Sequence, residues 1–148
     1  MKTAITVRRL AANRGVLICT LLACATGSVQ AADPGAQGMF GFSDGEQVYA
    51  HLCQACHMPD GRGAQGAGHY PALAGDPALA SANFVAATIL NGRRNMPSFR
   101  HVENFEFFFG PTWLTDTQVA NVVNYVRTHF GNRFEGEITP AEVAALHP

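Results

Sequence analysis

Residues 51–63 read HLCQACHMPDGRG, which sets Cys53, Cys56 and His57 within five positions. Two thiols and an imidazole this close together can hold a metal ion, run thiol–disulfide exchange or clamp a porphyrin, and each demands different surroundings. The rest of the chain decides between them. At 148 residues, 47% hydrophobic and 14% charged, it suits one compact domain with one core.

The first 31 residues place Lys2, Arg8, Arg9 and Arg14 before an uncharged apolar run from Gly15 to Ala25, then small residues that suit cleavage after Ala31. They read as a secretory signal peptide, and the expected location is the periplasm. The run falls short of the about 20 apolar residues that a spanning helix needs. Leu21-Leu22-Ala23-Cys24 offers a lipoprotein cut as the alternative. Lipidation at Cys24, or a partner, is then the expected route to a membrane.

Four of the ten Lys and Arg lie in this leader and none of the eleven Asp and Glu, so a chain cut after Ala31 carries a net charge of −5 instead of −1. Nucleic acid is excluded as a partner, because phosphate binding needs clustered basic residues. Cys19 and Cys24 leave with the leader as well. Cys53 and Cys56 alone remain, and no long-range disulfide can form.

A structural zinc site takes four Cys or His ligands, usually as two separated pairs, and there is no second pair. A thioredoxin-like C-x-x-C follows a strand in a βαβ unit, but the flanks hold no β-branched runs. C-x-x-C-H is the attachment signature of c-type haem, in which two thioethers hold the porphyrin and the next residue offers its imidazole to iron. Export and the absence of other cysteines favour this reading.

Ser43-Asp44-Gly45-Glu46 has capping-box spacing and predicts a helix over 44–55, with Gly45, Val48, Tyr49, Leu52 and Cys53 on one side. Thr115-Asp116-Thr117-Gln118 repeats the spacing before the stripe Val119, Val122, Val123, Val126 and Phe130, which stops near Gly131-Asn132. Tyr49 and Tyr125 are expected to meet where these helices cross, with Gly45 permitting close approach. A short helix is predicted over 83–90 and another over 140–146, the latter from Thr139-Pro140-Ala141-Glu142. Residues 61–82, rich in Gly, Ala and Pro, read as loop with room for a helical turn.

GEQVYAHLCQACH, YPALAG, NMPSF and TDTQVANVVNYVRTHFGN, in that order, resemble the class I cytochrome c family, particularly bacterial monohaem domains serving exported dehydrogenases. The resemblance implies an all-α class I cytochrome c fold, with N- and C-terminal helices crossing around one covalently bound haem c. The expected organisation is a leader over 1–31, a flexible segment over 32–42, the cytochrome domain over 43–132 and an extension with a short helix over 133–148. Cys53 and Cys56 are the expected attachment points and His57 the proximal iron ligand. For the sixth ligand the choice falls on Met96: Met58 is tied to the proximal side, Met39 precedes the first helix, and Pro97 keeps Met96 extended. The rivals are His69, His101 and His129, of which His101 follows Met96 most directly.

The same resemblance matches Pro71 to the family proline whose carbonyl orients the proximal imidazole. Arg93, Arg94 and Trp113 are candidates to neutralise or hydrogen-bond the haem propionates. The segment over 100–113 is longer than the family usually carries, and Phe105, Phe107, Phe108 and Phe109 make it a core plug or a docking patch for a redox partner. The implied function is single-electron transfer, Fe(III) to Fe(II) and back, without catalytic residues. The donor would be a periplasmic dehydrogenase and the acceptor a terminal oxidase. The alternative is a haem enzyme or small-molecule sensor in which Met96 dissociates.

Overall fold

The computed structural model describes residues 39–66, 68–102 and 112–148. Residues 1–31, expected as a leader, and the phenylalanine cluster over 105–109 lie outside them. Helix α1 (Gly45–Val48) runs on through a π-helical stretch (Tyr49–Cys53) into α2 (Gln54–His57), and together these form one rod over 45–57. Its N-cap is Asp44, not the expected Ser43. One Asp44 carboxylate oxygen accepts from the amides of Glu46 and Gln47, at 3.0 and 3.1 Å. Asp caps as well as Ser and adds a negative charge at the positive helix end. The Ser43 carbonyl instead accepts from Asn121 Nδ2 at 2.7 Å.

A two-stranded antiparallel hairpin, β1 (Ala64–Gln65) and β2 (His69–Tyr70), follows, and a 3₁₀ turn over Pro77–Ala80 leads into α3 (Ala82–Asn91). Helix α4 (Asp116–Thr128) opens with the expected capping box: the Thr115 hydroxyl accepts from the Gln118 amide and Gln118 Oε1 accepts from the Thr115 amide. It stops at His129, earlier than the apolar stripe suggested. Phe130 then sits at φ 58 outside the helix. Helix α5 (Pro140–Ala144) has the second capping box, from Thr139 and Glu142, and its proline in the first turn.

One core joins these elements. Val48 and Tyr49 of the rod, Val85, Ala86, Ile89 and Leu90 of α3, and Val119, Ala120, Val122, Val123 and Val126 of α4 are buried together. At about 1.5–3 kcal/mol for each fully buried aliphatic side chain, the fully enclosed Val119, Val122 and Val123 are the main apolar anchor of α4. A β-carbon on Gly45 would come within 2.8 Å of the Asn121 carbonyl carbon and 2.9 Å of Tyr125 Cβ. The bare glycine therefore sets how closely the rod and α4 approach. Around that approach the rings of Tyr49, Tyr125 and Phe130 meet, with centroids 4.7 to 5.7 Å apart.

The segment after Phe130 is part of the fold, since Ile138 and Val143 belong to the same core. Its main fastening is Arg127, 4% exposed. The guanidinium donates from Nε to the Leu79 carbonyl at 2.9 Å, from Nη2 to those of Ala80 and Glu135, and from Nη1 to that of Gly136. A buried cation needs such compensation, and here backbone oxygens supply it.

Candidate functional site

The rod carries both thiols and the imidazole, and the π-helical stretch helps to place them. Its wider turn lets the Gln54 amide reach the Tyr49 carbonyl, five residues back. Cys53 Sγ lies 4.0 Å from the Val48 carbonyl oxygen. Burial, and then the neighbouring Cys56, pushes the Cys53 thiol up to about 12. Exchange chemistry needs a thiolate, so a thiol held neutral does not suit a redox disulfide, and the two cysteines are unbonded. Nor do three His, Cys, Asp or Glu side chains converge as a metal site among the described residues.

The rod ends abruptly at His57. Met58 takes φ 63 and ψ 157, a region nearly reserved for glycine that costs other residues about 1–3 kcal/mol. Two contacts hold it there: the Tyr49 hydroxyl donates to the Met58 carbonyl at 2.7 Å, and the Gly63 amide donates to the His57 carbonyl at 3.0 Å. Burial first, then Cys53, pushes the Tyr49 phenol up to about 12, so it stays a donor at neutral pH.

His57 Nδ1 lies 2.9 Å from the Pro71 carbonyl oxygen. A carbonyl has no proton to give, so Nδ1 carries the hydrogen, and in the neutral ring Nε2 keeps its lone pair. That leaves Nε2 as the atom available to a metal. The Pro71 carbonyl is itself pinned. Gly63, at φ 64, lies so close that a β-carbon there would meet the Pro71 carbonyl at 2.7 Å. Farther along, the Leu73 and Ala74 amides donate to the Gly61 carbonyl at 2.6 and 2.9 Å. Asn132 bridges Leu73 and Gly75, donating to one carbonyl at 3.0 Å and accepting from the other's amide at 2.8 Å.

Met96 closes a tight turn begun by Arg93. Their amides and carbonyls exchange two hydrogen bonds, at 3.1 and 3.0 Å, and Arg94 at the turn has φ 55. The turn is laced to the end of α3 by the Ser98 hydroxyl donating to the Leu90 carbonyl and the Phe99 amide donating to the Ile89 carbonyl at 2.9 Å. Gly92 makes this possible, because a β-carbon there would lie 2.7 Å from the Met96 oxygen. Met96 is half-buried against the core.

The rival histidines are otherwise engaged or exposed. His101 packs on Trp113 with ring centroids 4.5 Å apart, His129 stacks on Tyr125 at 3.9 Å, and His69 lies exposed in β2. Trp113 thus contacts His101. Arg93 holds its guanidinium 5.5 Å above the Phe84 ring, and both residues are exposed, as is Arg94.

Three supports escaped the sequence reading: the Tyr49 hydroxyl, Asn132 and Arg127. The signal for Asn132 was its place directly after Gly131, which served there only as a helix stop. The donor set itself fits a covalently held haem. It comprises two unbonded sulfurs three residues apart, an imidazole whose free nitrogen is fixed by its partner, and a thioether on a rigid turn.

The cytochrome c family model matches residues 42–130. The chain is 36% identical over 99 residues to the fructose dehydrogenase cytochrome subunit of Gluconobacter japonicus, covering 61% of this chain and 19% of that protein. It is 33% identical over 109 residues to the alcohol dehydrogenase (quinone) cytochrome c subunit of Gluconobacter oxydans, covering 69% and 21%. It is 33% identical over 108 residues to the gluconate 2-dehydrogenase cytochrome c subunit of Pantoea cypripedii, covering 69% and 23%. The chain spans about a fifth of the length of these relatives. A haem-attachment motif on a capped rod, an oriented imidazole and a family match from the rod to the end of α4 lead to one assignment: the chain belongs to the cytochrome c family.

Proposed function

We propose that this chain is an exported single-electron carrier that accepts electrons from a periplasmic dehydrogenase and passes them toward a terminal oxidase. The observation that carries the proposal is the His57 Nδ1 to Pro71 carbonyl bond of 2.9 Å, which fixes the ring and reserves Nε2 for iron. Membership of the family brings one covalently bound haem c. Cys53 and Cys56 would hold it through thioethers, and His57 and Met96 would bind its iron. A haem so held would supply Fe(III)/Fe(II) chemistry, and a Met/His pair would raise its potential. The protein's part is to hold the ligands still. Tyr49 and Met58 end the rod at His57, Asn132 and Gly61 brace the Pro71 loop, and Gly92, Ser98 and Phe99 tie the Met96 turn to α3.

The dehydrogenase partner is proposed from the three relatives, each named as the cytochrome subunit of a dehydrogenase. Export is proposed from the leader, with residues 1–31 removed. Among the described residues no helix is long and apolar enough to cross a membrane.

The test is spectroscopic. Purified oxidised protein should show the Met-to-iron charge-transfer absorption, and Met96→Ala should abolish it while leaving both thioethers intact. Carbon monoxide should bind the reduced variant and not the reduced wild type. Carbon monoxide binding by the wild type would refute the carrier and favour an open-site enzyme or sensor.

A further inference from the structure

Two asparagines at the C-terminal end of α4 make the same kind of contact with two different segments. Asn124 Nδ2 donates to the Ile138 carbonyl at 3.0 Å, and its Oδ1 accepts from the Ile138 amide at 2.9 Å. Asn132 Nδ2 donates to the Leu73 carbonyl at 3.0 Å, and its Oδ1 accepts from the Gly75 amide at 2.8 Å. The first fastens the segment after Phe130. The second fastens the loop that carries Pro71. Asn132 is 4% exposed, and its Nδ2 also donates to the Val126 carbonyl at 2.8 Å. With both donors committed to carbonyls the amide cannot flip, and a buried polar group used in this way holds its partners at defined places.

The chain leaves α4 by a strained route that brings this side chain to the loop. Phe130 has φ 58 and Gly131 φ 82, two left-handed residues in succession, and the Asn132 amide donates to the His129 carbonyl at 3.0 Å. Such strain costs a residue other than glycine about 1–3 kcal/mol and persists where surrounding contacts fix it. Here those contacts lead to the Pro71 loop from two sides. The Phe130 ring lies against Gly61, where a β-carbon would come within 2.6 Å of its Cγ, and the Gly61 carbonyl accepts from the Leu73 and Ala74 amides. Asn132 grips Leu73 and Gly75 in turn. Pro71 stands two residues before Leu73, so the place of its carbonyl against His57 Nδ1 depends on both grips.

We infer that Asn132 is a positioning residue for His57: by fixing the loop at Leu73 and Gly75 it sets the hydrogen bond from Nδ1 to the Pro71 carbonyl, and through that bond the balance between the two iron states. The inference rests on the proposed electron-carrier function, with His57 as ligand. A firm bond from Nδ1 makes the ring a stronger donor at Nε2 and favours Fe(III), whereas a loosened bond favours Fe(II) and raises the midpoint potential. Asn124 is the built-in comparison. It performs the same chemistry from the same helix, but its bonds go to Ile138.

The experiment uses the full-length exported holoprotein and three measurements: midpoint potential by redox titration, solvent exchange of the His57 Nδ1 proton by nitrogen-15 magnetic resonance of the reduced protein, and urea unfolding. Asn132→Ala should shift the Fe(III)/Fe(II) equilibrium toward Fe(II) by about three- to tenfold and speed the exchange by about tenfold, less than losing a ligand's direct partner because Asn132 acts at one remove. Asn132→Ser keeps one polar atom for the case in which the alanine variant does not accumulate, and should move both readings in the same direction. Asn124→Ala should lower the urea midpoint and leave potential and exchange at their wild-type values. Wild-type potential and exchange in the Asn132 variants would overturn the inference and leave this side chain a support of the fold alone. Equal shifts in Asn124→Ala would overturn it too, because they would report a general loosening of the end of α4. A wild type without a reversible one-electron couple would instead refute the underlying function.

Discussion

Replacing Gly45 by alanine tests whether the approach of the rod to α4 governs the site. The added carbon would stand 2.8 Å from the Asn121 carbonyl carbon and 2.9 Å from Tyr125 Cβ. These are backbone and near-backbone atoms that no rotamer change can move, so the helices must separate. Overpacking of this kind costs about 1–3 kcal/mol. Alanine recovers up to about 1 kcal/mol through its better helix propensity, less at a helix start, which leaves a net loss of about 1–2 kcal/mol. With a urea slope of about 2 kcal/mol/M, the unfolding midpoint should drop by about 0.5–1 M. Gly41→Ala is the control: nothing lies within 4 Å of the place its β-carbon would take, and its midpoint should stay put. The measurement is urea unfolding of the holoproteins followed by far-ultraviolet circular dichroism. A Gly45→Ala midpoint equal to wild type would refute the claim that this contact sets the helix spacing.

Tyr49→Phe removes the hydroxyl that holds the Met58 carbonyl and should cost about 1–2 kcal/mol in the same unfolding assay. The tyrosine also predicts a pH dependence: its folded-state value of about 12 lies above the ordinary value of 10.0, so the fold favours the neutral phenol. That stabilisation is complete below about pH 10 and is lost as pH rises from there toward 12. The Phe variant should lack this part of the alkaline decline. Met58→Gly should relieve the strain at φ 63 and, after the entropic cost of glycine, raise stability by about 1 kcal/mol with the haem spectrum unchanged, read as a higher melting temperature. Arg127→Met leaves the carbonyls of Leu79, Ala80, Glu135 and Gly136 without their donor; the expected loss is about 2–4 kcal/mol, with limited proteolysis cutting first within 133–139.

What the sequence revealed was whatever is encoded locally. The haem motif is a covalent requirement written in five residues, and the boxes at Thr115 and Thr139 are backbone chemistry written in four. Both survive any packing around them. Ser43 against Asp44 was not decidable, because either residue caps a helix and the choice depends on Asn121, far along the chain, claiming the Ser43 carbonyl. The π-helical turn leaves the same apolar spacing as an α-helix and so has no signature of its own. Phe130, which the spacing placed on the helical stripe, packs on Tyr49 at 4.7 Å, but by a left-handed step after the helix has ended.

Arg127 shows why the remaining supports were hidden. A charged side chain on an amphipathic helix ordinarily reads as solvated, and this one departs from that rule because its partners are carbonyls, which leave no trace in residue types. Asn132 is the same case: its side chain reaches the Leu73 carbonyl, the Gly75 amide and the Val126 carbonyl. Through it the end of α4 braces the loop whose Pro71 carbonyl orients His57. The imidazole is therefore held along a path that runs from the end of α4 through the Asn132 side chain and then through backbone atoms. A perturbation of the approach between the rod and α4, such as the one at Gly45, should then reach His57, the proposed iron ligand, by altering the bond to Pro71 before it unfolds the domain. The midpoint potential of Gly45→Ala in the absence of urea reads that coupling directly, since a hydrogen bond to the proposed axial imidazole would tune the metal.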